Sequence, residues 1–426
     1  MGSEMCIRDR PMLVAEELAC DWRRVRAEYA SANANLRRDN VYGSMSTGGS
    51  RSVRGSQEYL RTAGAMTREL LIGAAARRWG VPADECDAAN SVISHAPSGR
   101  SLSFGAVAAE AVGQEPPETV FLKEPDEWQV LGTPVARLDT PDKIAGKPVF
   151  GADVEVPGML HAAIHACPVF GGKLQRFDAA AIRQYPGVVQ VVPLDDAVAV
   201  VANSWWQAQQ ALLALPVEWD EAGNGKVDDA DIRARLEAGL DADQAVVMSE
   251  QGKPAASFKA AKLQIEANFY APCLAHATME PMTCTAAVHK DGRVEVWVPT
   301  QNAATSLETA ARTAGVEPLK VEVHNTQLGG GFGRRGANQD FTEQAVRIAM
   351  AVGRPVKLMW SREEDTQHDF YRPASMARLQ AAVDSGGRLT GLNMRVSAPS
   401  ILTSLGMKAA DGSDPVALQG LADQFY

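Results

Sequence analysis

The chain has 426 residues, 46% of them apolar and 22% charged, an ordinary composition for a folded chain long enough for about three domains. It carries 42 Lys and Arg against 52 Asp and Glu, a net charge of −10, which argues against a nucleic-acid or polybasic membrane binder. No apolar run approaches a membrane-spanning length, and the 36 Gly and 23 Pro follow no fixed period, so collagen, coiled coil and low-complexity classes are excluded.

Residues 1–10, MGSEMCIRDR, have no apolar stretch after their charges, so they read as a non-native scar and not as a signal peptide. From Pro11 the text becomes protein-like, and residues 11–125 are expected to form a first unit. Apolar residues at steps of three and four predict a helix from Gln57 to Trp79, stopped by Gly80 and Pro82. A second helix is expected from Ser103 to Val112. Prolines scattered over 113–148 deny that stretch a long helix or a central strand.

Residues 140–220 are expected to form a small α+β unit. VVQVVPLDDAVAVVA predicts two strands around Asp195-Asp196, and Asn203 is placed to cap the helix SWWQAQQALLAL. The acidic stretch 221–250 reads as a surface connection. Residues 251–426 form the third expected unit. TAAVHKDGRVEVWV predicts a hairpin turning on Asp291-Gly292, with Val294, Val296 and Val298 on one face. The strand VEVHNTQ, a glycine loop, the helix DFTEQAVRIAMAV and the strand VKLMW follow, then a second hairpin over RLQAAVDSGGRLTGLNMRVS.

The six cysteines include no pair within three residues of each other, which argues against a zinc ribbon, a ferredoxin-type cluster and a thioredoxin motif. The informative motif is Gly329-Gly330-Gly331-Phe332-Gly333-Arg334-Arg335-Gly336, between a strand and a helix. Glycines let backbone amides approach an anion, the helix N-terminus adds partial positive charge, and two arginines offer bidentate contacts to phosphate. The loop also fits G-x-G-x-x-G from Gly331 to Gly336, with Glu363 placed for a ribose, so a nicotinamide-binding unit is a rival. The polar–apolar alternation of VEVHNTQ and the two arginines inside the loop weigh against it.

Three stretches, TQN (Thr300 to Asn302), TQLGGGFGRR (Thr326 to Arg335) and WSREEDTQHDFYRP (Trp360 to Pro373), together resemble the xanthine oxidase/aldehyde oxidase family of molybdenum hydroxylases. The likeness is closest to the large (beta) subunit of the isoquinoline 1-oxidoreductase type. HATMEP (His276 to Pro281) and PGMLHA (Pro157 to Ala162) fit the same group. The resemblance implies an α+β, multi-domain molybdopterin-binding subunit with a small α/β hammerhead-like domain. Residues 11–125 would be a partial, second-domain-like molybdopterin-binding segment and 140–220 the hammerhead-like domain. Residues 251–426 would be the first molybdopterin-binding domain, truncated on its C-terminal side, in a fragment cut at both ends.

The resemblance also implies the cofactor, molybdopterin cytosine dinucleotide with molybdenum held by its dithiolene, so no protein ligand to the metal is expected. The cofactor-packing loop maps onto Gly330, Gly331, Phe332 and Gly333, followed by Arg334, and the glutamine that meets a molybdenum oxo group maps onto Gln301. STGGSRS implies further cofactor contacts from Gly49, Ser50, Arg51 and Ser52. Better-known members carry a Glu where this chain has Gly336, which departs from a purine-type substrate site. The family's catalytic Glu, in a Gly-Glu motif, is not found before Tyr426, so no catalytic residue is assigned and the isolated fragment is expected to be inactive.

The implied activity is hydroxylation of an N-heterocycle or oxidation of an aldehyde with water-derived oxygen. Electrons would pass to a separate [2Fe–2S] subunit and then possible acceptors such as cytochrome c, in the periplasm. A catalytically dead scaffold of the same fold is the rival from another class. Elsewhere, His276 and Glu280 are spaced to share a helix face as metal ligands, though structural hydrogen bonding is the simpler expectation. His161 and His165 share a strand face. REED (Arg362 to Asp365) reads as a solvated charged face, and Trp205-Trp206 as core packing.

Overall fold

The computed structural model describes residues 8–43, 45–49, 51–404, 406–407, 414 and 416, and of Arg51 the backbone alone. The chain divides into two compact units, Met1–Met159 with Thr283–Leu358, and Leu160–Met282 with Met359–Tyr426. Helices and strands are mixed in both, so the α+β expectation holds.

In the first unit the helix Gln57–Trp79 occupies the predicted residues, and the helix Phe104–Val112 begins one residue inside the expected start. Leu71, Ile72, Ala75, Ile93, Val107 and Ala111 make one core cluster. Small residues let the helix Arg10–Leu18 come close: a Cβ at Gly64 would lie 2.7 Å from the Val14 carbonyl oxygen. That helix carries two fully buried carboxylates, Glu16 and Glu17. Glu16 accepts the backbone N–H groups of Gln129, Val130 and Leu131 at 2.8, 2.6 and 3.1 Å and the Lys123 ammonium at 2.7 Å. Burial pushes its pKa up, but these hydrogen bonds outweigh burial and hold it below the ordinary 4.5. The proline-rich stretch, too irregular for a ladder of its own, is thus tied down by side chains, with Glu17, Arg61 and Arg68 adding contacts to the backbone of Phe121 and Lys123.

The sheet of this unit runs Val321–Asn325, Val294–Val298, Thr283–Val288, Val356–Met359. The predicted hairpin is present, with Thr283–Val288 antiparallel to Val294–Val298 and the three valines fully buried. Val294–Val298 and Val321–Asn325 are parallel, joined through the helix Ala303–Ala314. The helix Asp340–Val352 packs on Thr283–Val288, and there the Cys284 thiol is fully buried and pushed up to about 12 by that burial.

In the second unit Leu160–Ala166, Ala197–Ala202 and Val188–Pro193 form an antiparallel sheet in that order. All six residues of Ala197–Ala202 are buried, and the core continues through Ala163, Ile182, Ala208 and Leu212. His161 and His165 lie half-buried on the same face of Leu160–Ala166. The helix Trp205–Ala214 is capped by Ser204 and not by the expected Asn203. The Ser204 hydroxyl accepts the Gln207 N–H at 3.3 Å, while Asn203 donates its backbone N–H to Gly187. Trp205 packs inward and gives its indole N–H to the Met359 carbonyl, whereas Trp206 is 66% exposed and is not core.

Two further corrections fall in this unit. The stretch 221–250 is not a bare connection: it holds the helix Asp229–Gly239, opened by an Asp228/Asp231 capping box. Leu236 of that helix and Leu240 just beyond it pack against Met376 of the antiparallel sheet Leu389–Ser397, Ser375–Val383, Leu263–Ala271. REED is not a solvated face: in the short helix Arg362–Gln367, Glu364 and Asp365 are 4% and 2% exposed. Glu364 accepts the Ala166 N–H at 2.6 Å and meets His165 Nδ1 at 3.2 Å, and Asp365 accepts the Met282 N–H. Both acids satisfy backbone donors distant in sequence, which a local charge pattern cannot show. His276 and Glu280 share no helix; His276 Nδ1 lies 3.0 Å from both carboxylate oxygens of Asp369. Cys273 nearby is exposed.

Candidate cofactor site

Parallel strands put their carboxyl ends at one edge of a sheet. The loops after Val294–Val298 and Val321–Asn325 therefore emerge side by side, and these are Thr300–Asn302 and the glycine loop. The glycine loop is built from two tight turns, closed by Arg334 N–H to the Gly331 carbonyl and Gly336 N–H to the Gly333 carbonyl, each 2.9 Å. The turns require left-handed backbone at Gly330 (φ 97°), Phe332 (φ 55°) and Gly333 (φ 113°). Glycine adopts this freely, while at Phe332 it costs about 1–2 kcal/mol. The Phe332 side chain is 56% exposed, on the cavity side of the loop.

Gln301 is the clip of the arrangement. Its backbone N–H donates to the Arg335 carbonyl at 3.0 Å. Its side-chain Nε2 donates to the Thr47 carbonyl at 3.0 Å, and its Oε1 accepts the Gly333 N–H at 3.0 Å. Thr47 returns its N–H to the Gln301 carbonyl at 2.7 Å, and Ser46 bridges Asn302. Three segments far apart in sequence thus meet on one amide. Gly331 is essential to the fit, because a Cβ there would stand 2.4 Å from Gln301 Oε1.

The two arginines are placed differently from the sequence expectation. Arg334 is 2% exposed and makes its bidentate contact to Asp340, at 2.9 and 2.8 Å, and not outward to a phosphate. Asp340 also sits in the first turn of the helix behind the loop, so that helix start already faces a carboxylate. Arg335 is fully buried, donating to the carbonyls of Gly330 at 3.0 Å and Pro299 at 3.2 Å. Both guanidinium groups lie over the Phe341 ring, at 5.9 and 5.8 Å from its centroid. They brace the loop from within the protein.

The loops border a cavity of about 880 Å³ in the first unit. Among the residues singled out from sequence, Gln301, Gly330, Gly331 and Phe332 line it, while Gly333 and Arg334 lie one step behind. Gly49 (φ 56°) and the buried Ser52 do not line it; Ser46 and Thr47, earlier in the same segment, do. Ser50 and the Arg51 side chain lie outside the described residues. Thr47 escaped the sequence reading because its hydrogen bonds to Gln301 run through its backbone, which no residue type advertises.

Residues 240–407 match the molybdopterin cofactor-binding domain family. The chain is 33% identical to isoquinoline 1-oxidoreductase subunit beta of Brevundimonas diminuta, over 93% of this chain and 56% of that protein. It is 31% identical to the membrane-bound aldehyde dehydrogenase (pyrroloquinoline-quinone) of Gluconacetobacter polyoxogenes, over 91% of this chain and 51% of that protein. It therefore spans about half the length of these curated relatives. Among solved structures, quinoline 2-oxidoreductase from Pseudomonas putida 86 shares the fold, with a TM-score of 0.50 at 20% identity over 62% of this chain and 39% of that one. The family match and the sequence relatives agree on a molybdopterin cofactor-binding domain, and the glycine loop lies within it. Residues 240–407 thus carry a molybdopterin cofactor-binding domain, and over most of its length the chain is similar to the isoquinoline 1-oxidoreductase beta subunit.

The geometry suits such a cofactor. The cavity is of the size that holds a cofactor-sized ligand. Its rim offers a bare glycine backbone at Gly330 and Gly331, an exposed aromatic ring at Phe332 and a fixed amide at Gln301. A side chain at 331 would fill the space that Gln301 occupies. Among the described residues no helix is long and apolar enough to cross a membrane.

Proposed function

We propose that this chain is the cofactor-holding part of an oxidoreductase that hydroxylates an N-heterocycle or oxidises an aldehyde with oxygen drawn from water. The observation that carries the reading is the convergence of three segments on one cavity through the Gln301 amide: Ser46 with Thr47, Gln301 itself and the glycine loop. When bound, the molybdenum cofactor supplies the two-electron chemistry. The chain's own residues position it. Gly330 and Gly331 admit a flat ring system to the backbone, Phe332 covers it with an exposed aromatic face, and Gln301, on the cavity lining, keeps one amide hydrogen beyond its bond to Thr47. Arg334 and Arg335 hold the loop in its strained shape from behind.

The cytosine dinucleotide form of the cofactor, a separate [2Fe–2S] subunit as electron acceptor, and a periplasmic setting with cytochrome c beyond it complete the proposal, and they rest on the family resemblance. The nicotinamide alternative is disfavoured by the strand before the loop. Its Val321 and Val323 are buried while Glu322 and His324 are only half-buried, unlike a first strand covered on both faces.

The test is cofactor content. Chain purified from cells that make the pterin is expected to contain molybdenum by mass spectrometry and an oxidised pterin by fluorescence. Phe332→Ala is expected to lower both without changing the unfolding midpoint, since that ring is exposed. A wild-type chain that carries neither metal nor pterin refutes the proposal.

A further inference from the structure

The cavity has a second wall, formed by residues 10–30 and their neighbours, that the glycine loop does not account for. Charged groups on the lining are Arg10, Arg24, Arg26 and Lys143 against Asp21 and Glu28. Four cations against two carboxylates is a local excess of positive charge, in a chain whose net charge is −10. Three of these six groups are already engaged. Arg10 donates to the Tyr59 hydroxyl at 2.6 Å, and the Lys143 ammonium sits 2.8 Å from Asp139. Asp21 is held by the Arg23 guanidinium through two contacts of 3.0 Å.

Arg24, Arg26 and Glu28 are left, two cations against one carboxylate. Both arginines are exposed, and neither side chain makes a hydrogen bond or ion pair among the described residues. The chain passes between them through Val25 in an extended conformation (φ −72°, ψ 133°). On the same wall stand Tyr29, 42% exposed, and Tyr42, whose ring and hydroxyl are already taken by Arg38. Unpaired guanidinium groups lining one cavity with the exposed Tyr29 ring offer what a nucleotide requires: planar cations for phosphate oxygens and a flat apolar face for a base.

We propose that Arg24 and Arg26 form a phosphate subsite across the cavity from the glycine loop, taking the pyrophosphate of a dinucleotide form of the cofactor. The assignment rests on the reading that the pterin lies against Gly330–Phe332. It replaces the phosphate role that the sequence offered to Arg334 and Arg335, which are buried on Asp340 and on backbone carbonyls. It also gives the N-terminal segment a part in binding that no motif marks.

The experiment is calorimetric titration of the full chain, purified from cells unable to make the pterin, with inorganic pyrophosphate and with CDP. Wild type is expected to bind both, more weakly as salt rises. R24Q/R26Q is expected to weaken binding about tenfold or more, as loss of charge-assisted bidentate contacts does. Arg176→Gln, a surface change in the other unit, is the control expected to leave binding unaltered. Circular dichroism of R24Q/R26Q is expected to match wild type, because both side chains are exposed. A wild type that binds neither probe, or a double variant that binds them as wild type does, overturns the subsite. Pterin content keeps the two readings apart. If pterin is present in holo chain and the double variant binds the probes normally, the subsite falls and the cofactor assignment stands. If the probes need Arg24 and Arg26 but cells making the pterin yield none in the chain, the subsite stands and the cofactor assignment falls.

Discussion

Replacing Gly331 with alanine adds a single methyl at the tightest point of the loop pair. That carbon would stand 2.4 Å from Gln301 Oε1 and 2.8 Å from its Cδ. Ordinary contact needs roughly 3.5 Å, so the Gln301 amide must retreat by about 1 Å. Its two side-chain hydrogen bonds, to Thr47 and from Gly333, are both 3.0 Å long, and a shift of that size breaks both. Two neutral hydrogen bonds contribute about 0.5–1.5 kcal/mol each, and forced overpacking adds about 1–3 kcal/mol. The expected loss is about 2–6 kcal/mol, a large share of a typical folding stability. Gly331 itself is not among the positive-φ residues, so backbone strain adds nothing to this sum.

The assay is urea unfolding of wild type, Gly331→Ala, Gln301→Ala and the double variant. In the Gln301→Ala background the new methyl has no amide to meet. Its penalty is expected to fall below about 1 kcal/mol, giving a coupling of about 1–6 kcal/mol. If Gly331→Ala is as stable as wild type, or costs the same with and without the glutamine, the clip does not exist as described.

Other outcomes follow from the same structure. Glu16→Gln removes the charge that three backbone N–H groups and Lys123 converge on, and a loss of about 2–4 kcal/mol is expected in thermal or urea unfolding. Because the folded pKa of Glu16 lies below 4.5, its contribution is present above that pH and is lost as the pH falls through the folded value; an unfolding series in acid should show a shallower slope for the Gln variant. His165 behaves oppositely. The Glu364 carboxylate raises its pKa above 6.5, so its contribution is full below 6.5 and fades as the pH rises through the folded value; His165→Asn should flatten the unfolding midpoint between about pH 6 and 8. Arg334→Lys keeps the charge but loses the fork on Asp340, and about 1–3 kcal/mol of stability and part of the bound cofactor should go with it.

Legibility in the sequence tracked the range of the interactions. The helix Gln57–Trp79 was readable because its stops, Gly80 and Pro82, are adjacent to it, and the hairpin because Asp291-Gly292 turns it and alternating valines face one way. Ser204 displaced Asn203 as the cap through backbone geometry that both residue types permit. Glu364, Asp365 and the helix Asp229–Gly239 looked like solvent-facing charge, because the donors and core they meet lie elsewhere in the chain. The site divides in the same way. Glycines and Gln301 could be singled out, and the structure gathers them at one cavity. That Arg334 and Arg335 turn inward depends on Asp340, Phe341 and Pro299 being placed around them, and that Thr47 takes part depends on its backbone alone.

The thiols of this chain amount to a built-in timer. A thiol attacks an alkylating reagent as its thiolate, and a group titrating near 12 inside a closed strand offers almost none at neutral pH. Cys284 can react only in the moments when Thr283–Val288 and the helix over it part, so its alkylation rate is the intrinsic rate multiplied by the fraction of time spent open. Cys273, exposed, reacts at once and sets the zero of the measurement. Peptide mass spectrometry of a timed alkylation would then read how often the sheet beneath the glycine loop breathes, with and without cofactor, and no probe need be engineered into the protein.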